Sequence, residues 1–138
     1  MENQEKNELT LLNGVVNNIY CSKLAKTESE KKELFNALES CDILLNDCIG
    51  AEIEIKDIYI EERQITNEDT GVVSPKYRTI IFDTEGKTYA TGSYGIYNVL
   101  KKIIQIYGLP TSWENPVKVK VAKKTVKDGK QSLTFILI

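Results

Sequence analysis

A chain of 138 residues, 41% hydrophobic and 28% charged, is long enough for one domain to bury an ordinary core without help from a metal or disulfides. No apolar run approaches the roughly 20 residues that cross a bilayer, and the acidic start lacks the basic and apolar regions of a signal peptide, so a cytoplasmic protein with no membrane partner is expected. The formal net charge is −2 with no histidine, and three cysteines stand at no metal-ligand spacing, which argues against Ser-His or Cys-His catalysis, a zinc site or any other cofactor.

Residues 1–26 read as an N-terminal extension, mobile or linking protomers, because Leu9 to Tyr20 fits neither a helical nor a strand period. The main domain is expected over 27–138. Thr27 and Glu30 form a capping box, and Leu34, Phe35, Leu38, Cys41 and Leu45 recur at helical spacing, which predicts a helix over 28–48 with a weak point at Ser40 to Asp42. From Ala51 the period becomes two. Ile53 and Ile55, then Ile58 and Ile60, alternate with polar residues across a one-residue slip, the mark of a β-bulge at Lys56-Asp57.

Residues 65–76 read as a loop or flexible hairpin tip, followed by strands at 77–83 and 87–91 joined at Glu85-Gly86. Ser93 caps a helix whose Ile96, Val99, Leu100, Ile103, Ile104 and Tyr107 make one apolar stripe, closed by Gly108 and Pro110. Strands over 117–126 and 132–138 flank an Asp128-Gly129 turn. A leading helix followed by β-β-β-α-β-β is the element order of the OB-fold, a five-stranded Greek-key barrel that belongs to the mainly β class with α.

Charge is unevenly spread. Residues 1–75 hold 7 Lys+Arg against 16 Asp+Glu, whereas residues 76–138 hold 11 against 4. Val117, Val119 and Val121 turn inward on an alternating strand, which leaves Lys118 and Lys120 together outside, and Lys123, Lys124, Lys127 and Lys130 continue the charge around the tip. Barrels of this type bind across their second and third strands, which here supply Lys76, Tyr77, Arg78, Lys87 and Tyr89, with Tyr59 and Arg63 from the first. Cations neutralise phosphates and exposed aromatics stack bases, so these residues describe a groove for a single-stranded nucleic acid. The same chemistry serves RNA or a duplex. Tyr97 and Tyr107 on the helix are expected to pack, and Trp113 to plug the barrel end.

Several stretches also look familiar. Residues 33–38 (ELFNAL), 57–61 (DIYIE), 66–71 (TNEDTG), 95–108 (GIYNVLKKIIQIYG) and 116–120 (PVKVK) resemble small single-stranded DNA-binding proteins encoded by phages and conjugative plasmids of Gram-positive bacteria. The resemblance implies an OB-fold that coats single-stranded DNA, without catalysis, in replication or transfer of a mobile element. Coating favours self-association along the strand, for which Leu9, Leu11, Leu12, Val15 and Val16 are the candidate anchors. The alternative is an OB-fold interaction module whose lysines pair with an acidic protein.

Overall fold

A computed structural model describes residues 17–138. The elements are β1 (Asn17–Cys21), α1 (Glu28–Glu39), β2 (Ile43–Leu44), β3 (Glu52–Thr66), β4 (Val73–Asp83), β5 (Thr88–Thr91), α2 (Tyr94–Tyr107), β6 (Val117–Thr125) and β7 (Gln131–Leu137). The strands pair in the order β2-β5-β4-β3-β6-β7, with β1 added to β3. Between β5 and β7, where a closed barrel would join, the described strands make no pairing, and α2 packs against β7 instead. The result is a curled OB-fold barrel that stays open on one side.

β3 organises the sheet. Its first residues, Glu52 to Ile55, pair with β6, its later ones pair with β4 as far as Thr66, and β1 pairs with Tyr59 to Arg63. The pairing with β4 shifts between Ile55 and Asp57, so the bulge sits at the slip in the isoleucine pattern. A bulge bends its strand, which lets one long strand serve two hairpins.

Two cores form on the two faces of this sheet. Inside the barrel, Ile53, Ile55, Ile58 and Ile60 of β3 meet Ile81, Tyr89, Val117, Val119, Val121, Leu133 and Phe135, and α2 closes the end with Ile96, Leu100 and Ile103. Outside, α1 lays Leu34 over a patch built from Ile19, Cys21, Tyr59, Ile80 and Phe82. Because side chains alternate along a strand, β3 and β4 feed both cores through consecutive residues.

The ends of elements moved where tertiary pairing overrode local pattern. α1 keeps its capping box, in which the Glu30 amide donates to Thr27 Oγ1 and Glu30 accepts from the Thr27 amide, but it stops at Glu39 rather than running to 48. Beyond it the Asp42 amide donates to Thr88 Oγ1, and Ile43–Leu44 pairs in parallel with β5, which competes with further helix. Residues 17–21, assigned by sequence to the extension, are instead a strand of the sheet. The hairpin expected to be loose over 65–76 is strand as far as Thr66 and again from Val73. The anchors Leu9, Leu11, Leu12, Val15 and Val16 lie outside the described residues.

Candidate nucleic-acid interface

Past the barrel, β3 and β4 continue as a ribbon, flanked by β1 along Glu61 to Arg63 and, among the described residues, two-stranded from Gln64 to Thr66. β5 pairs only with Thr79 to Phe82, so among the described residues no strand occupies the β4 edge from Val73 to Arg78. Pro75, which lacks an amide proton, suits such an edge. Alternation places Lys76 and Arg78 on the outer face, opposite Arg63 and Glu61, and Tyr77 on the inner face, opposite Glu62. At the free edge these three consecutive side chains come within reach of one ligand.

Tyr77 does not stand alone there. Its ring stacks on Tyr97 with centroids 4.1 Å apart, and Tyr94 leans on it at 5.4 Å. α2 supplies both partners because its apolar residues Ile96, Leu100 and Ile103 face the core, which turns Tyr94, Tyr97 and Lys101, at i, i+3 and i+7, toward the ribbon. The Lys101 ammonium lies 5.2 Å from the Tyr97 ring centre. Tyr94 is 59% exposed, so the cluster is open to solvent at that end. Partial burial first, and then the Glu62 carboxylate, hold the Tyr77 and Tyr97 phenols above their ordinary range.

The same helix turn connects this cluster to the β6–β7 hairpin. A Cβ at Gly95 would collide with the Leu133 carbonyl oxygen and the Ser132 hydroxyl, so glycine is required for the first turn of α2 to seat against β7. Leu133 pairs with Lys123 and Ser132 with Lys124. Lys123, Lys124, Lys127 and Lys130 are exposed on this hairpin, with Lys123 on the face of Val121 and Lys124 on the opposite one.

Other expected site residues fall elsewhere. Tyr59 and Tyr89, assigned as stacking platforms, are core residues at 5% and 8% exposure. Tyr59 lies beneath α1 and donates to Glu61, while Tyr89 fills the barrel and donates to Asp83, which with burial pushes its phenol up to about 12. A base cannot reach either ring without opening a core. Lys87 pairs with Glu85 in the β4–β5 turn at 3.6 Å, about seven residues or roughly 23 Å along β4 from Lys76. Lys118 and Lys120 face outward on β6 as expected, but against Glu54 and Glu52, and Lys118 pairs with Glu52 at 3.6 Å.

The outer face of β4 and β5, where barrels of this type take their ligands, is covered by α1. The cleft of about 590 Å³ left at its margin is lined by Glu33, Asp42, Asp57, Asp83 and Glu85 with only Lys23 and Lys56 as cations, which disfavours a phosphate chain. Tyr94 was missed by sequence, and Tyr97, read as a packing residue, does pack against the barrel core while also stacking on Tyr77. The signal that could have found them is their spacing with Lys101 on the helix face opposite the apolar stripe. Trp113 does plug the barrel end, half-buried against the core, with Nε1 donating to the Gly108 carbonyl at 2.8 Å.

A family model described as phage single-stranded DNA-binding protein matches residues 14–138. No curated protein and no solved structure matches the chain.

Proposed function

The chain belongs to the phage single-stranded DNA-binding protein family, and from that premise we propose that it holds its strand along the free edge of β4, between the ribbon and the β6–β7 hairpin. The protein is a non-catalytic binder that coats single-stranded DNA. The observation that carries the proposed path is the cluster of Tyr77, Tyr94 and Tyr97 at an edge where Lys76 and Arg78 flank Tyr77. Bases stack on the open end of the cluster. Phosphates meet Lys76 and Arg78 on one side, where Arg63 is shared with Glu61 at 3.2 Å, and Lys123, Lys124, Lys127 and Lys130 on the other.

Such a site is tolerant of sequence, because every base has a π-face, and sensitive to salt, because each neutralised phosphate releases counterions. Fluorescence anisotropy with a labelled oligonucleotide across a salt series tests the reading. Binding that weakens linearly on a logarithmic salt scale is expected, and affinity independent of salt would remove it. We infer that it acts in the host cytoplasm, a reading that the family supports.

Self-association along the strand is proposed to use Leu9, Leu11, Leu12, Val15 and Val16 as contacts to a neighbouring copy. Because β1 begins at Asn17, the informative truncation removes residues 1–16 and spares the strand. Light scattering on a long oligonucleotide is expected to show smaller assemblies for the shortened chain.

A further inference from the structure

Glu62 is the acidic member of an otherwise aromatic and basic cluster. It sits on the inner face of β3, half-buried and directly opposite Tyr77, where cross-strand neighbours lie roughly 5 Å apart at Cβ. Tyr97 stacks on Tyr77, so Glu62 shares the inner face with the stacked pair. A carboxylate at that position repels a phosphate chain, a cost with no evident structural return at the open half of the ribbon. The other glutamates of β3 have partners among the described residues. Glu52 pairs with Lys118, Glu61 with Arg63, and Glu54 accepts from Thr84.

We propose that Glu62 is a specificity-determining residue, which reads the edge of the base stacked at the Tyr77 and Tyr94 end of the cluster. The inference rests on the tyrosine site proposed above. A carboxylate only accepts hydrogen bonds, and its two oxygens can take more than one donor. Cytosine offers its N4 amino group at the edge where thymine offers the O4 acceptor. A base with an exocyclic amine gains a charge-assisted hydrogen bond there from an N–H₂ group, whereas thymine sets its O4 against the carboxylate and has only the single N3–H to offer. The repulsion of phosphate has a use in the same geometry, since it keeps the backbone at the cationic rims and the base inside.

The test is competition anisotropy with oligo-dC and oligo-dT of equal length, using the full chain, Glu62→Gln, Glu62→Leu and Tyr77→Ala. The native protein is expected to favour oligo-dC by about fivefold at the reading position, the lower end for a specific base contact. Glu62→Leu, which removes both charge and acceptor, is expected to bring the ratio close to one, and Glu62→Gln to bring it part of the way. Tighter binding of both oligonucleotides by one common factor would show a charge effect alone and overturn the proposal. If Tyr77→Ala leaves both affinities unchanged, the tyrosine site itself is wrong, and the reading of Glu62 falls with it.

Discussion

Two halves of β3 differ in a way that separates stability from function. From Ile58 to Ile60 every residue is buried, because the inner face meets the barrel core and the outer face meets α1. From Glu61 to Thr66 none is buried. The paired strand β4 repeats the division, with Thr79 to Asp83 buried and Val73 to Arg78 open. One hairpin thus continues from a doubly covered slab into an uncovered ribbon. Tyrosine shows the consequence, for Tyr59 in the slab is structural while Tyr77 in the ribbon is available to a ligand.

The contrast is broken most severely within the slab. Ile81 is fully buried between β3 and α2, so Ile81→Ala is expected to cost about 2–5 kcal/mol of stability, through lost transfer energy and the cavity left behind. Urea unfolding measures it, and the folded fraction is expected to bind an oligonucleotide as before. In the ribbon the pattern reverses. Tyr77→Ala is expected to weaken single-strand binding by about 1–3 kcal/mol, the contribution of one base stack, and to leave the unfolding midpoint little changed. If both losses appeared in one variant, the division of labour would be false.

Cations on the outer face of the ribbon give a smaller and different signature. Replacing Lys76 and Arg78 together by alanine is expected to lower the magnitude of the logarithmic salt slope by about 1.4, from about 0.7 for each phosphate contact to a single strand. Oligonucleotides of different sequence should all weaken alike, since phosphate contacts carry no sequence information. A slope equal to that of the native protein would move the strand off this edge.

Much of the slab was legible in the sequence, and less of the ribbon. The isoleucine alternation with its slip located the bulge, and the capping box and the α2 stripe located both helices, because each is a local pattern with a local cause. Burial of Tyr59 was not legible, since it depends on α1 folding over the outer face of a strand some twenty residues downstream. The same covering helix closed the face that the fold class would assign to a ligand. Strand pairing across the hairpin held residues 65–66 and 73–76 extended, although Thr-Asn-Glu-Asp-Thr-Gly reads as loop composition. Tyr94 and Tyr97 became partners of Tyr77 only because Gly95 lets α2 approach β7 closely, a contact between segments far apart in sequence.

The smallest expected effect is at the lysines of β6, and it separates charge from available charge. Lys118 belongs to the most regular basic pattern in the chain, yet its ammonium sits 3.6 Å from Glu52, and each side chain is about half exposed. An exposed pair of this kind contributes between nothing and about 1 kcal/mol to stability. Lys118→Ala leaves Glu52 without that partner, so any loss of DNA affinity should stay within about twofold and be matched by Glu52→Gln acting in the opposite direction. Lys127→Ala, at the tip of the β6–β7 hairpin, is expected to lower the salt slope by about 0.7. Equal effects at Lys118 and Lys127 in anisotropy titrations would show that the strand follows the outer face of β6 rather than the free edge of β4.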